Sequence, residues 1–424
     1  MKIVVLGLGY VGLPLAVELA KHFEVFGLDI DVSRIEELTS GFDRTREVEE
    51  HSLAASSLSL TSCPAECPAS DMYIITVPTP IDAHNQPDLT PVISATKAVA
   101  AMIDPKLKPV IVYESTVYPG VTENICGPLL EQQSGHVRSV DFFLGYSPER
   151  INPGDKEHVV SRIIKVIAGE NAEISDKMAV VYGAITTGGV FRARSIQAAE
   201  AAKVIENAQR DINIAFMNEI TQIFNRLELS IWDVLDAAGT KWNFLPFQPG
   251  LVGGHCIGVD PYYLSYCAQQ LGCNPQVILS GRAVNDSMGD WLAGEIDARL
   301  GKASATVLVM GLTFKENVPD LRNSKVIDVV RVLQSTGHTV TLHDPLADHH
   351  EAKKEYDVLL DPNALEKQYD AVVGLVPHDA YKSMDSAALN NLVKDGGLIV
   401  DLKRMWPSLA EDATPLNGRR YWGM

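Results

Sequence analysis

The sequence predicts an α/β chain with two doubly wound parallel-sheet domains joined by a helical domain that carries one long central helix. Three observations carry this reading. Short apolar strands alternate with helical segments over the first 190 residues. A stretch from about Arg194 to Glu228 keeps helical period without Pro or Gly. A second strand, glycine turn, helix, strand, acid series then restarts near residue 302. Such alternation is the pattern of a parallel sheet covered by crossover helices.

The first unit opens with Lys2–Leu6, an apolar run that reads as a buried parallel strand. Gly7-Leu-Gly9-Tyr10-Val11-Gly12 follows at once, then an apolar helix over Leu13–Ala20 and a strand over Glu24–Leu28 ending on Asp29. This is the dinucleotide fingerprint in its full context, which makes the domain Rossmann-like. Gly7 serves the tight turn, Gly9 lets a pyrophosphate approach the backbone, and Gly12 lets helix and strand pack closely. Asp29 would accept the ribose hydroxyls and repel a 2′-phosphate, which favours NAD over NADP even with Arg34 nearby.

The alternation continues with strand 72–77, helix 91–102, strand 109–113, helix 120–131 and strands 142–146 and 163–167. Thr76-Val-Pro78-Thr79-Pro80, Glu114-Ser115-Thr116 and Ser147-Pro148-Glu149-Arg150 stand at strand ends, on the rim where ligands sit in open α/β sheets. That shared position raises Thr116 and Glu149 above ordinary turn residues.

The central helix is long enough to link domains or to pair with a second subunit. Glu200, Lys203, Asn207 and Arg210 recur on it at three- and four-residue spacing and so share one face. Helices are expected near 231–238, 261–271 and 275–298. In the restarted series Thr306–Met310 is a strand followed by Gly311, helix 324–336 and strand 338–343 ending on Asp344. Strands near 371–376 and 398–401 complete it. The glycine fingerprint is absent there, so a second NAD is not expected. Lys315, Arg322 and Lys403 on that rim would suit a diphosphate-bearing substrate.

Between these sheets lies Pro249-Gly250-Leu-Val-Gly253-Gly254-His255-Cys256, with Asp260 four residues on. Glycines let a ligand approach closely, and a thiol presented there could act as a nucleophile. Asp260 could sit one turn away, placed to handle protons or hold a water. A buried cysteine in a tight turn is the plainer reading of this stretch alone.

The chain has 424 residues, 46% apolar and 21% charged, the composition of a globular protein of two or three domains. A net charge of −18 argues against a nucleic-acid surface or a basic membrane-bound face. Six scattered cysteines make no disulfide framework, and Cys63 and Cys67 lack a matching second pair, so no metal site is expected. With no leader and no apolar span, a cytoplasmic location is expected.

Taken together, these motifs resemble the UDP-glucose/GDP-mannose dehydrogenase family along essentially the whole chain. The residues that carry the resemblance are the N-terminal fingerprint, the rim motifs Glu114-Ser115-Thr116 and Ser147-Pro148-Glu149-Arg150, Lys203…Asn207, Gly253-Gly254-His-Cys256…Asp260 and Gly311-Leu-Thr-Phe314-Lys315…Asp320-Leu-Arg322-Asn-Ser. His255 and Val259-Asp-Pro-Tyr-Tyr, with Gly239-Thr-Lys-Trp-Asn-Phe-Leu-Pro-Phe, look like the branch acting on UDP-N-acetylglucosamine and UDP-N-acetylgalactosamine in capsule and O-antigen pathways. The resemblance implies an NAD-binding domain over 1–190, a central helical dimerisation domain with the Cys loop over 191–300, and a UDP-sugar-binding domain over 301–424. It implies a homodimer through the central helix and four-electron oxidation of the sugar C6 alcohol to an acid.

The resemblance also implies roles. Cys256 would trap the aldehyde and carry a thioester, and Glu149 would serve as base in its hydrolysis. Lys203 and Asn207 would stabilise charge on the C6 oxygen, and Asp260 and Thr116 would order water or move protons. Arg150, Ile151, Arg210, Gly253, Phe314, Lys315 and Lys403 would hold the UDP-sugar, together with Glu149, Lys203 and Asn207. Tyr10, Val11, Asp29, Arg34, Thr79, Thr116 and Arg322 would line the NAD site with the three glycines. The family's His and Arg near Thr240 and Trp242, which reach a neighbouring subunit's substrate in N-acetylmannosamine enzymes, are replaced here, with Lys241 the nearest cation. His255 is expected to pack the loop. Rival readings are a 6-dehydrogenase of another nucleotide sugar (UDP-N-acetylmannosamine, UDP-glucose or GDP-mannose), a two-electron dehydrogenase, or a non-catalytic NAD sensor.

Overall fold

The computed structural model describes residues 1–150, 160–409 and 418–424. Their contacts gather into two compact units, Met1–Asn207 with Tyr262–Asn274, and Ala208–Pro261 with Pro275–Met424. One helix, Ile196–Arg226, contributes its first twelve residues to the first unit and the remainder to the second.

The first unit is built on β1 (Lys2–Leu6), β2 (Glu24–Leu28), β3 (Ser59–Thr61), β4 (Met72–Ile75), β5 (Val110–Tyr113), β6 (Phe143–Tyr146), β7 (Lys165–Gly169) and β8 (Val190–Arg192). They form one sheet in the order β3-β2-β1-β4-β5-β6-β7-β8. β6 and β7 are antiparallel, and the other pairs are parallel. The sheet is buried on both faces, which is why its strands are continuous apolar runs. Successive residues enter opposite layers. Ile3 and Val5 pack with Leu13, Val17 and Met178, while Val4 and Leu6 pack with Val92, Val99 and Val121.

The second unit repeats the plan with β9 (Thr306–Met310), β10 (Thr339–His343), β11 (Tyr369–Gly374), β12 (Val393–Asp401) and β13 (Arg420–Gly423), all parallel, in the order β10-β9-β11-β12-β13. Val307 and Val309 face Leu292, Val329 and Leu333; Leu308 and Met310 face Leu389 and Trp406. The likeness extends to the turn after the first strand. Gly7 N–H donates to Leu28 O, and Gly311 N–H donates to His343 O, both at 2.8 Å. Both glycines adopt positive φ, +90° and +96°, which an L side chain rarely takes.

Several elements differ from the sequence reading. The expected helix over 120–131 is a π-helical turn, Thr122–Cys126, that continues as an α-helix over Gly127–Ser134. Glu200 reaches it from the central helix and accepts the N–H groups of Gly120 (2.6 Å) and Thr122 (2.9 Å), satisfying donors that a helix start leaves open. The helices Val32–Thr39 and Ala172–Ile185 were not expected, and each starts on a side-chain cap, Asp31 and Asn171. No helix among the described residues is long and apolar enough to cross a membrane.

Candidate active site

In the first unit the glycine turn is shaped for a nucleotide. A Cβ at Gly12 would lie 1.8 Å from Gly7 O, so this position admits only glycine, whereas a Cβ at Gly9 would meet nothing within 4 Å. That open side is where a pyrophosphate needs room against the backbone. Tyr10 and Val11 complete the turn into the helix Gly12–Ala20. Asp29, half-buried at the end of β2, accepts Leu8 N–H at 2.7 Å and Asp31 N–H at 2.9 Å. Arg34 is buried; its Nε donates to Leu8 O at 2.9 Å and its other end pairs with Asp43 at 2.7 Å. It therefore braces the glycine turn from within. These residues fit a dinucleotide: an open turn, a helix N-terminus and an acid at the ribose position.

The rim motifs come together as expected. Ser115 donates through Oγ to Val77 O at 2.6 Å, which ties the turn holding Thr116 to the segment leading to Thr79. Both threonines are half-buried. Lys203 Nζ donates to the backbone carbonyl of Glu149 at 2.8 Å. Asn207, one turn further along the helix, is buried at 4% exposure. Arg150 pairs with Glu206 at 2.9 Å, and Arg210 is exposed. Ile151 lies outside the described residues.

Behind Glu149 stands a cluster that sequence reasoning missed. Lys165 Nζ donates to Glu114 Oε2 at 3.0 Å and closely to Glu149 Oε2; Tyr182 Oη donates closely to Glu114 Oε1. Glu149 Oε1 also accepts the N–H of Arg150 at 2.5 Å. All four side chains are buried. Burial alone would raise the Glu149 pKa, but Lys165 and the Arg150 N–H outweigh it and hold it below its ordinary value. Glu114 is pushed up to about 7 by burial, against the pull of Lys165 and with the like charge of Glu149 adding to the rise. Burial works against the Lys165 charge, yet its two carboxylates keep its pKa raised. The available signal was a lysine inside the apolar strand Lys165-Val-Ile-Ala-Gly.

The second unit carries the cysteine loop. Cys256 is exposed, and its carbonyl accepts Asp260 N–H at 2.9 Å, so the two stand one helical turn apart. Asp260 is buried, in the first turn of the helix Asp260–Gln270. Gly253 and Gly254 are pressed against Phe314: a Cβ on Gly254 would fall 2.8 Å from its ring, and one on Gly253 2.7 Å from Asn323 O. The loop is tied at its start, where Asn218 exchanges two hydrogen bonds with the Gly250 peptide and Lys403 Nζ donates to Pro249 O at 2.7 Å. Gly253, Phe314, Lys315 and Lys403 line one cavity within this unit, together with Ile257 and Ser324. Arg322 is instead engaged by Asp320 through both carboxylate oxygens. His255 is held neutral, its pKa lowered to about 4 by burial and then by the Arg322 charge.

This geometry defines an NAD-dependent dehydrogenase. Three family models match: the UDP-glucose/GDP-mannose dehydrogenase NAD binding domain over residues 1–186, the central domain over 197–287 and the UDP binding domain over 308–408. The chain is 51% identical to Protein CapL of Staphylococcus aureus, with 95% of each chain covered. It is 48% identical to the UDP-N-acetyl-D-glucosamine 6-dehydrogenase of Pseudomonas aeruginosa, covering 98% of this chain and 99% of that one. Among solved structures, a UDP-D-ManNAc dehydrogenase from Pyrococcus horikoshii matches with a TM-score of 0.88 at 27% identity, covering 100% of this chain and 99% of that one. The chain belongs to the UDP-glucose/GDP-mannose dehydrogenase family and is an NAD-dependent nucleotide-sugar 6-dehydrogenase.

Proposed function

We propose that the substrate is a UDP-N-acetylhexosamine, UDP-N-acetylglucosamine or its galacto epimer, oxidised at C6 to the uronic acid with two NAD reduced per sugar. The observation that carries this is Cys256, exposed on a glycine-shaped loop beside the cavity that holds Lys315 and Lys403. The near-half identity to a UDP-N-acetyl-D-glucosamine 6-dehydrogenase supports the sugar class.

When bound, NAD accepts a hydride from C6 in each of the two oxidations. The chain's own residues do the rest. As the first hydride leaves, the C6 hydroxyl passes its proton to the water held by Asp260 and Thr116, and Lys203 and Asn207 stabilise the charge on that oxygen. The Cys256 sulfur then bonds to the aldehyde carbon, giving a thiohemiacetal that cannot diffuse away. Loss of the second hydride leaves a thioester. Water, ordered by Asp260 and Thr116, attacks its carbonyl carbon and gives a proton to Glu149. The carbon–sulfur bond breaks, and the acid leaves. Lys315, Lys403 and Arg150 would hold the diphosphate, with Phe314 against the nucleotide. The cavity lined by Gly253, Phe314, Lys315 and Lys403 supports that assignment.

The division at 190 and 300 and the homodimer are part of the same proposal. Ile205, Phe216 and Ile223 lie on one stripe of the central helix and are exposed at 55%, 55% and 48%, and Leu227, just past its end, is exposed at 61%, an apolar face of the kind a second copy covers. A cytoplasmic place in surface-polysaccharide synthesis fits a soluble activated-sugar substrate. The test is NADH formed per molecule of limiting UDP-N-acetylglucosamine and, separately, UDP-N-acetylgalactosamine. Two per sugar supports the four-electron reaction and names the epimer; one demotes Cys256 to a structural residue and favours a two-electron dehydrogenase.

A further inference from the structure

Lys165 and Glu114 have no part in the roles set out above, yet they form the floor on which Glu149 rests. Two carboxylates and one ammonium are buried together, so with all three ionised they sum to a charge of −1 in the interior. A buried unbalanced charge is costly, and taking up one proton removes it. The two carboxylates are not equivalent. Glu149 has Lys165 on one oxygen and the Arg150 N–H on the other, both donors that favour its anion, and the Lys203 ammonium lies against its own carbonyl. Glu114 has Lys165 on one oxygen and the Tyr182 hydroxyl on the other, and a hydroxyl can turn to accept a hydrogen bond from a protonated carboxyl as well as donate one to its anion.

We propose that Glu149, Lys165 and Glu114 work as one proton relay in which the proton removed from the hydrolytic water comes to rest on Glu114. The water proton passes to Glu149, a Lys165 proton passes to Glu114, and Lys165 is refilled from Glu149. The Glu149–Lys165 ion pair is restored, and the cluster changes from −1 to neutral. No other bond is made or broken in the relay. Glu114 and Lys165 are positioning residues here, acting on the reacting atoms only through Glu149. Among the described residues, the charged and titratable groups facing Glu114 are Lys165 from β7, Glu149 beyond β6 and Tyr182 from the helix Ala172–Ile185, with Lys203 of the central helix against the Glu149 carbonyl. The neutral-range titration of Glu114 is what such a store requires. The inference rests on the four-electron reaction proposed above.

The test is Glu114→Gln, which keeps a hydrogen-bonding side chain and removes both the charge and the titration. Relieved of the net charge, the variant should fold with an undiminished Tm. The relay predicts that the first NADH forms at the wild-type rate while steady turnover falls about 10-fold or more. Mass spectrometry of quenched samples should find the sugar accumulating on Cys256. Wild-type turnover should rise with pH through a step near neutrality, and that step should vanish in Glu114→Gln. In Tyr182→Phe, which removes a donor to the Glu114 anion, the step should move to higher pH. Unchanged turnover and an unchanged pH step in Glu114→Gln would overturn the relay, as would an equal slowing of every step. Infrared spectra of the substrate-free protein separate this from the reaction assignment: the relay requires a protonated-carboxyl band that disappears between about pH 6 and pH 8 and is missing in Glu114→Gln. If that band is present but the wild type yields one NADH per sugar, the four-electron reading fails and the proton store stands. If the band never appears, the store itself is refuted.

Discussion

Lys203, on the central helix, donates its ammonium to the backbone carbonyl of Glu149 at 2.8 Å rather than to the Glu149 carboxylate. The contact fixes the ammonium on the rim of the first sheet without neutralising it, because a carbonyl dipole leaves the positive charge available. Lys203 is 8% exposed, so that charge acts with little screening by water. Lys203→Met should lower kcat by roughly 10²–10³-fold, the scale for one oxyanion donor, with KM for the sugar nucleotide changed far less. Steady-state kinetics at saturating NAD check this; a loss confined to KM would mean that Lys203 only binds.

Cys256→Ser should abolish uronic acid formation. The exposed side chain has room for a hydroxyl, so folding and NAD binding should survive. Product analysis after overnight incubation decides: acid formed at the wild-type rate would remove the covalent step.

Asp29 holds the glycine turn through Leu8 N–H and is the acid at the ribose position. Asp29→Ala should raise the NAD KM by about 10-fold or more, equivalent to about 1.4 kcal/mol, and narrow the preference for NAD over NADP. Comparing kcat/KM for the two cofactors measures it; an unchanged ratio would leave Asp29 a purely structural residue of the turn.

Gly254 has φ +81°, and an added Cβ would fall 2.8 Å from the Phe314 ring. Gly254→Ala should cost about 1–2 kcal/mol from the backbone alone. Displacement of Phe314 should also raise the sugar-nucleotide KM. A thermal melt and a KM series read the two effects separately.

Glu200 is pushed up to about 7 from an ordinary value of 4.5, chiefly by burial, which the N–H groups of Gly120 and Thr122 only partly offset. Folding therefore favours its protonated form. That stabilisation is complete below the ordinary value and is lost as pH rises through about 7. The loss should be on the order of 1–3 kcal/mol. Urea titrations from pH 5 to about pH 8 should show a decline in wild type that is shallower in Glu200→Gln, the part that remains belonging to Glu114; parallel curves would place the titration elsewhere.

Both sheets were legible because their strands are buried on two faces, so continuous apolar runs and glycine turns announce them. Short, polar or edge elements such as β3, β8 and β13 were not, since a three- or four-residue strand has too few residues to display a period. The residues that share one cavity, Gly253, Phe314, Lys315 and Lys403, were each identifiable from their motifs. Their convergence was not, for they come from three separate stretches of chain.

By itself, then, the order of residues determined the fold class, the nucleotide turn with Asp29, and the pairing of Cys256 with Asp260 one turn on. These depend on local geometry: strand period, glycine conformation and helical rise. Only the tertiary structure decided that Lys165 neutralises Glu149, that Glu114 shares that lysine with it, that Arg34 braces the glycine turn from inside, and that Lys403 ties down Pro249. Those are contacts between residues 16 to 154 positions apart, and their energies come from burying a charge beside an opposite charge or a carbonyl dipole. No local pattern encodes such a pairing, because the same lysine or glutamate on a solvated surface would carry the same letter and none of the consequence.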